Sequence, residues 1–227
     1  MKRIEILYED DICLVLNKPA GLAVQGGKGV QVSLDSILAE TYSPRPLLVH
    51  RLDKDTSGLI LTAKTREAAA RFSRLLGEGR SAGSRAGKKF IKQYLAVCAG
   101  RPAKETGLIR LDLESRGSVK KSETRYKALG SGSLEQTWFS LLELELGTGR
   151  MHQIRRHLAM TGNPILGDDK YGDFALNKIL RKTMQLKRLL LHASRLVIPQ
   201  GDDGFQLDIS APPPEYFGAF LELALLH

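Results

Sequence analysis

The stretch VHRLDKDTSGLIL, from Val49 to Leu61, places several charged side chains directly before an apolar run. The sequence D-T-S-G is a turn signal, and the apolar residues after it predict a buried strand. A carboxylate on a turn at the edge of a core strand is well placed to face a cleft. Asp53 and Asp55 are both candidates, and either could instead only close the turn or form an ion pair. Spacing alone does not choose between them.

A second group of polar residues lies in GTGRMHQIRRH, which begins at Gly147. Two of its arginines, Arg150 and Arg155, are five residues apart, so on a helix they would point about 140° away from each other. One could then reach into a cleft while the other faces a phosphate or solvent. The pattern is also typical of a basic amphipathic helix on the surface. The candidate residues of this group are Arg150, His152, Gln153, Arg155, Arg156 and His157.

A tyrosine, Tyr94, lies in the strand-like stretch KKFIKQYLAV. If Phe90, Lys92 and Tyr94 alternate onto one face of a strand, an aromatic ring and a cation lie together. Such a pair suits stacking on a nucleic-acid base. It fits equally well an edge strand that covers a core, so the tyrosine alone does not decide between the two.

The sequence contains no pattern typical of a metal or cofactor site. His152 and His157 are five residues apart, whereas two ligands on one helix face are four apart. There is no CxxC motif, no Cys/His cluster, no GxGxxG and no P-loop. Cys13 and Cys98 each lie in an apolar strand-like run, so we expect free, buried thiols in a reducing compartment.

Helices are few in the predicted fold. We expect a short helix capped by Ser33, and a second helix capped by Thr65 that covers roughly Arg66 to Leu76 and ends at Gly77. Three more are predicted in TGRMHQIRRHLAMTG, in ALNKILRKTMQLKR and after the prolines at 212–214. In the first of these three, Met151, Ile154 and Leu158 mark one face and Gly162 can stop the helix.

Strands dominate the rest of the chain. Several follow one another without an intervening helix, which predicts an α+β fold with a mainly antiparallel sheet rather than a doubly wound parallel one. The predicted strands are IEILY and ICLVL, joined by a turn, then the apolar half of the opening stretch, FIKQYLAVCAG, SETRYKAL, TWFSLLELELG, RLLLHASRLVI and FQLDIS.

The chain of 227 residues is strongly basic, with 34 Lys and Arg against 25 Asp and Glu, or a formal net charge of 34 − 25 = +9. This balance favours a polyanionic partner, either nucleic acid or an anionic membrane, over a basic surface kept for solubility. The N-terminus lacks the apolar stretch of a signal peptide, and no span is long enough to cross a bilayer. We therefore expect a cytoplasmic protein.

A segment rich in Gly, Ser and basic residues runs from Gly77 to Lys89. Its composition predicts a surface loop, either a mobile basic finger or a plain insertion. Its four cations are Arg80, Arg85, Lys88 and Lys89.

The motif HRLDKDTSGLIL resembles the signature of the RluA-type family of RNA pseudouridine synthases. Four further stretches resemble family motifs in the family's order, so the resemblance runs from about Ile4 to about Ser210. They are LYEDDICLVLNKPAGL, KQYLAV, TGRMHQIRRHLAMTGNPILGDDKYG and LLLHASRL. The resemblance implies one catalytic domain over 1–227: an α+β fold whose mixed, mainly antiparallel sheet forms two closely joined halves with flanking helices and a central active-site cleft.

The implied reaction is the isomerisation of uridine to pseudouridine in ribosomal or transfer RNA, without metal or cofactor. The family's catalytic aspartate falls on Asp53, which leaves Asp55 to the turn. The active-site tyrosine falls on Tyr94, and the arginine paired with the aspartate falls on Arg155. Arg51 is implied to contact the target nucleotide or to fill its vacated place, because the base must be flipped out of its stack.

Further RNA contacts are expected from His50, Arg150, His152 and Gln153, and from the four cations of the 77–89 loop. Many relatives carry an N-terminal RNA-binding module of S4 type, whereas the motifs here begin at once. We therefore expect RNA affinity to come from the catalytic domain, including a cationic rim formed by this loop and the Lys178–Arg188 segment. A monomer is the default expectation.

Two other functions are compatible with parts of the sequence. The first is a non-catalytic RNA-binding or ribosome-assembly protein on the same fold, against which the joint presence of Asp53, Tyr94 and Arg155 argues. The second is a metal-dependent nuclease or phosphoesterase that uses Asp53, Asp55 and the histidines, which lacks a convincing ligand spacing. Loss of modification in Asp53→Ala would separate the first from an enzyme, and sensitivity to a chelator would identify the second.

Overall fold

The computed structural model describes residues 4–78, 90–115, 117–200 and 204–225. These residues divide into two units: unit 1 is Met1–Ile91 with Ala193–Ala211, and unit 2 is Lys92–His192 with Pro212–His227. Each unit contains antiparallel strands and few helices, which confirms the α+β class and the mainly antiparallel sheet predicted from the sequence. A single catalytic domain over the whole chain stays a prediction.

The described part of the chain forms twelve strands and five α-helices. In chain order they are β1 (Glu5–Glu9), β2 (Cys13–Lys18), α1 (Leu34–Thr41), β3 (Leu47–Leu48), β4 (Ser57–Ala63), α2 (Arg66–Glu78), β5 (Ile91–Ala99), β6 (Thr106–Arg110), β7 (Leu113–Ser115), β8 (Ser118–Lys120), β9 (Glu123–Leu134), β10 (Thr137–Leu146), α3 (Gln153–Met160), α4 (Phe174–Thr183), β11 (Leu191–Ile198), β12 (Leu207–Ser210) and α5 (Gly218–Leu225), with a 3₁₀ turn at Glu215–Phe217.

The sheet of unit 1 has the order β1-β2-β4-β11, with β12 beside β11 and β3 paired to β4. Every residue of β4 is buried, which explains why its sequence reads as one continuous apolar run. Gly58 in this strand has a φ of +104°, and a Cβ atom there would collide with the backbone of Ala193. The glycine of D-T-S-G is therefore required by the strand beside it as well as by the turn.

The predicted helix caps of unit 1 are confirmed. The hydroxyl of Ser33 accepts a hydrogen bond from the backbone of Ser36 at 3.2 Å, and the hydroxyl of Thr65 accepts one from the backbone of Ala68 at 3.1 Å. Helix α2 extends two residues beyond the predicted end, so Gly77 belongs to its last turn and does not stop it. The rest of the 77–89 loop, with its four cations, lies outside the described residues.

The sheet of unit 2 has the order β5-β10-β9-β6. Tyr94 in β5 lies opposite Leu144 in β10, so the predicted strand around the tyrosine is confirmed. The long β9 and β10 also agree with the prediction. Strand β6 and the β7-β8 hairpin were not predicted, because short strands with mostly exposed residues carry no apolar alternation.

Helix α3 begins later than the sequence predicts. His152 has φ 52° and ψ 30° and precedes the helix, which starts at Gln153. Met151 lies before the helix and is 56% exposed, so its placement on one helix face with Ile154 and Leu158 was wrong; those two residues are buried. Gly162, with a φ of +81°, follows the C-cap and ends the helix as predicted.

Both cysteines are free and buried, as expected. No helix among the described residues is long and apolar enough to cross a membrane. The same residues contain no cluster of three or more histidine, cysteine or carboxylate side chains that could hold a metal ion.

Candidate active site

Asp53 stands at the first position of a turn that leads directly into β4. Its carbonyl oxygen accepts a hydrogen bond from the backbone of Thr56 at 3.2 Å, and β4 begins at the next residue. Asp53 is half-buried, whereas its neighbours Arg51 and Lys54 are exposed. The buried strand therefore ends in a carboxylate at the boundary between core and surface, as the sequence predicts.

A buried lysine that the sequence analysis missed holds this turn. Lys18, at the end of β2, is 0% exposed, and its Nζ donates to the carbonyl oxygens of Pro19 at 3.0 Å, Leu22 at 2.9 Å and Lys54 at 3.0 Å. The backbone of Gly21 donates to the same Lys54 oxygen at 2.9 Å. Two donors thus fix the main chain directly after Asp53. The sequence feature that could have indicated this role is the position of Lys18 at the end of an apolar strand, in NKPAGL.

The charge of Lys18 matters for the turn. Burial lowers the pKa of its ammonium group from 10.5 to about 8, while the nearby charges of Asp55 and Asp53 act in the opposite direction. The ammonium form therefore predominates at neutral pH and places a positive charge near the two carboxylates.

His50 anchors the segment that precedes Asp53. Its Nε2 accepts a hydrogen bond from the backbone of Leu61 in β4 at 2.9 Å. An accepting Nε2 carries no proton, so the neutral ring has its hydrogen on Nδ1. His50 was expected to contact RNA, and the structure gives its ring a contact within the protein.

Arg155 in α3 is held by a buried carboxylate. Its Nε lies 2.8 Å from Oδ2 of Asp168 and its Nη2 lies 2.7 Å from Oδ1, in the bidentate geometry that arginine and carboxylate prefer. Nη2 also lies 3.2 Å from Oδ1 of Asp169. Arg155 is 4% exposed and Asp168 is 1% exposed, so the guanidinium plane is fixed inside unit 2.

Asp168 is the second functional residue that the sequence analysis missed. Burial opposes its ionisation, but hydrogen bonds from Arg155 and from the backbones of Tyr171 and Lys170 outweigh it and lower the pKa of the carboxyl group. Those backbone bonds to Oδ1 measure 3.0 and 2.9 Å. The pair is therefore ionised at neutral pH. The signal in the sequence was the turn GDDKYG, which forms the end of the third family motif.

Tyr171 contacts two side chains of the site, Arg155 and His152. The guanidinium carbon of Arg155 lies 5.4 Å from the centre of the Tyr171 ring. The Nδ1 of His152 lies 3.2 Å from the Tyr171 hydroxyl, and the two rings meet edge to face. The backbone of His152 is left-handed, which is unusual for a residue other than glycine.

Gln153 is buried, with 3% of its surface exposed. Its Oε1 accepts from the hydroxyl of Thr148 at 2.6 Å and from the backbone of Arg150 at 3.0 Å. Its Nε2 donates to the carbonyl of Glu123 at 2.8 Å and to the hydroxyl of Thr124 at 3.0 Å. All four hydrogen-bonding sites of the amide serve the protein, so the residue positions the start of α3.

His157 completes this network. It is fully buried, with its Nε2 2.9 Å from the carbonyl of Leu111 and its Nδ1 2.9 Å from the hydroxyl of Thr124. A carbonyl only accepts, so Nε2 carries the proton, and burial lowers the pKa of the ring. The histidine is therefore neutral and structural rather than a metal ligand.

The remaining predicted residues occupy different environments. Tyr94 is 5% exposed. Lys92, on the same face of β5, is half-buried. Arg150 precedes α3 and its Nε donates to the carbonyl of Lys121 at 3.4 Å. Arg150 lies outside α3, so the predicted helical separation of about 140° from Arg155 does not occur.

A family model described as RNA pseudouridylate synthase matches residues 12–160, more than half of the chain. The chain belongs to this family. It is an isomerase that converts uridine to pseudouridine in RNA, and the non-catalytic alternative is not favoured.

Curated relatives agree with this assignment. The ribosomal large subunit pseudouridine synthase C of Rickettsia felis is 37% identical over 225 residues, which cover 93% of this chain and 68% of that protein. The protein of the same name from Salmonella typhi is 36% identical over 233 residues, or 96% of this chain and 69% of that protein. The mitochondrial RNA pseudouridine synthase 4 of Arabidopsis thaliana is 37% identical over 195 residues, or 74% and 40%.

Solved structures give the same result. Human RNA pseudouridylate synthase domain containing 4 has a TM-score of 0.75 at 25% identity and covers 96% of this chain and 92% of that one. Human RNA pseudouridylate synthase domain containing 1 has a TM-score of 0.73 at 26% identity, with coverage of 94% and 84%.

Proposed function

We propose that this pseudouridine synthase modifies large-subunit ribosomal RNA and that Asp53 is its catalytic residue. The names of the Rickettsia and Salmonella relatives support the substrate. The observation that carries the catalytic assignment is the half-buried carboxylate on a turn that the buried Lys18 holds through the Lys54 carbonyl. A fixed acid at the surface end of a core strand suits a reaction on a substrate that arrives from outside.

The reaction exchanges one bond for another. The bond from ribose C1′ to N1 of uracil breaks, the base turns, and C1′ bonds to C5, which releases the C5 hydrogen as a proton while N1 gains one. The target base must first leave its stack, which costs a few kcal/mol, and Arg51 offsets part of this cost by occupying or contacting the vacated place. Tyr94 stacks on the extruded uracil.

Arg155 acts with Asp53, a pairing that rests on the family resemblance. An arginine beside a carboxylate favours its ionised form and restricts its orientation. The buried Asp168 makes Arg155 suitable for this role, because it fixes the guanidinium through two short hydrogen bonds. Gln153 and His50 act as positioning residues, since their hydrogen bonds are made within the protein.

RNA contacts come from Arg150, His152 and the cations of the 77–89 loop. We further propose that one polypeptide forms one catalytic domain and acts as a monomer in the cytoplasm, with no metal ion. Activity in excess EDTA tests the last point, and light scattering of the free protein tests the oligomeric state.

The substrate assignment is tested by mapping pseudouridine after incubation with unmodified RNA. Large-subunit rRNA, small-subunit rRNA and a transfer RNA pool are treated separately with wild type and with Asp53→Asn, and carbodiimide adducts are located by primer extension. We expect new sites in large-subunit rRNA with wild type only. Modification confined to transfer RNA would overturn the substrate, and equal modification by Asp53→Asn would overturn the catalytic residue.

A further inference from the structure

Helix α4 in unit 2 has an outer surface that combines cations with exposed apolar side chains. Phe174 is 61% exposed and Ile179 is 57% exposed. No acidic residue occurs between positions 174 and 188, whereas five cations do. They are Lys178, Arg181, Lys182, Lys187 and Arg188.

Phe174 and three of the cations form one stripe along the helix. At about 100° per residue, Phe174, Lys178, Arg181 and Lys182 fall within an arc of about 100°. Leu180 on the opposite side is 3% exposed, and Asn177, which lies on the flank of the stripe, is 2% exposed. The cations of the stripe form no ion pair with other described residues.

Helix stability explains only part of this surface. Arg181 and Lys182 lie in the last turn, where cations interact favourably with the helix dipole. That effect does not account for Lys178, nor for an exposed phenylalanine in line with the cations. An aromatic ring beside several cations is the combination that binds an unpaired nucleotide, since the ring stacks on a base and the cations contact phosphates.

We infer that α4 is a docking surface for a single-stranded segment of the substrate RNA. An unpaired base stacks on Phe174, and neighbouring phosphates contact Lys178, Arg181 and Lys182. The inference rests on the proposed function for the presence of RNA, and the charge of the stripe is complementary to the RNA backbone.

The helix is joined rigidly to the turn that orients Arg155. The side chain of Asn177 accepts from the backbone of Gly167 at 2.9 Å and donates to the carbonyl of Asp168 at 3.0 Å. Gly167 has a φ of +75°, and a Cβ there would collide with the backbone of Arg188. RNA docked on α4 is therefore held at a fixed position relative to the Asp168–Arg155 pair.

The test compares three variants in an Asp53→Asn background, so that binding is measured without turnover. The first variant is Lys178→Gln/Arg181→Gln/Lys182→Gln, and the second is Phe174→Ala. The third is a charge-matched control, Lys104→Gln/Lys120→Gln/Lys127→Gln, which removes three exposed lysines of unit 2. Affinity for unmodified large-subunit rRNA fragments is measured at several salt concentrations, with thermal unfolding as a check of the fold.

The α4 triple variant is expected to weaken binding at least tenfold and to reduce the salt slope by about 2, since each phosphate contact on a single strand contributes about 0.7. Phe174→Ala is expected to weaken binding about fivefold or more without changing the slope. The control triple should change affinity less than the α4 triple and by less than threefold. An unchanged slope in the α4 triple, or an equal loss in the control, overturns the inference.

The same variants with Asp53 intact separate this inference from the proposed function. If wild type isomerises the RNA and the α4 triple does so with the same KM, the docking surface is wrong and the function stands. If wild type isomerises no large-subunit rRNA but the α4 triple still loses affinity and salt dependence, the docking surface stands and the substrate is wrong.

Discussion

The two units support their proposed catalytic residues in opposite ways. In unit 1, Asp53 stands on a turn held through its backbone, where the buried ammonium of Lys18 donates to the Lys54 carbonyl at 3.0 Å. In unit 2, Arg155 is held through its side chain, which donates hydrogen bonds of 2.7 and 2.8 Å to the buried carboxylate of Asp168. A buried cation thus supports the acid, and a buried carboxylate supports the arginine.

Lys18 and Asp168 control different features of the residues that they hold. A contact to the backbone fixes the path of the turn, whereas a bidentate contact fixes the plane of the guanidinium itself. Loss of Asp168 leaves a buried charge without its partner, which is strongly destabilising. Loss of Lys18 instead removes a charge that burial already disfavours. Substitutions of Lys18 and of Asp168 should therefore have different effects on the stability of the protein.

The largest effect on the rate of isomerisation is expected from substitution of Asp53. Asp53→Asn keeps the shape of the side chain but removes the charge, so single-turnover isomerisation should fall by at least about a thousandfold. Asp55→Asn is the matched control, since Asp55 is likewise half-buried. It should lose no more than about tenfold, and a larger loss at Asp55 than at Asp53 would reverse their roles.

The next effect concerns the support of the arginine. Asp168→Asn should lower the free energy of unfolding by about 3–5 kcal/mol, the range for breaking a buried pair. It should also reduce the rate by about a hundredfold, because Arg155 is no longer held in position. Asp169 offers the control, because it also contacts Arg155 but its side chain is 72% exposed. Asp169→Asn should cost no more than about 1 kcal/mol. Equal losses in both variants, measured by urea unfolding, would contradict the account.

The support of the acid gives a smaller, pH-dependent effect. Burial lowers the pKa of Lys18 to about 8 from 10.5, so between these values the unfolded chain binds more protons than the folded chain. This residue therefore makes the free energy of unfolding rise with pH in that window, by at most about 3 kcal/mol. The difference between wild type and Lys18→Met, from urea titrations at pH 7 to 10.5, should rise accordingly. A constant difference would show that Lys18 titrates normally.

The smallest effect is expected from the cations of the 77–89 loop, which belong neither to the Lys18 contacts nor to the Asp168–Arg155 pair. Neutralising Arg80, Arg85, Lys88 and Lys89 should weaken RNA binding and flatten its salt dependence by up to about 3 in slope, while leaving the unfolding free energy unchanged. Filter binding across a salt series measures it, with the Lys104, Lys120 and Lys127 triple as control. An unchanged salt slope removes the 77–89 loop from the proposed RNA surface.

Sequence patterns predicted the strands and caps but not the side-chain supports. Buried strands such as β4 show as apolar runs, and caps such as Ser33 depend on neighbouring residues, so both are local signals. Lys18 and Asp168 act through tertiary contacts: the lysine reaches a carbonyl 36 residues away, and the aspartate an arginine 13 residues before it. A buried charge has no periodicity that distinguishes it from an exposed one.

The start of α3 was also predicted wrongly, because it depends on contacts that the local sequence pattern does not reveal. Met151 fits the apolar spacing of a helix, but the Gln153 side chain bonds to the backbone of Arg150 at 3.0 Å and His152 adopts a left-handed conformation. These contacts outweigh the local preference and expose Met151. The family motif was nevertheless sufficient to select Asp53, Tyr94 and Arg155, whose roles remain predictions.

The most direct test of the central claim, that Asp53 drives an isomerisation of uridine, is the release of tritium from RNA labelled at C5 of its uridines. Unmodified large-subunit rRNA, small-subunit rRNA and a transfer RNA pool are each incubated with wild type and with Asp53→Asn in excess EDTA. Formation of the bond from C1′ to C5 expels that hydrogen, so wild type should release tritium while the variant does not. Equal release by the variant, or none by wild type from any RNA offered, would contradict the account.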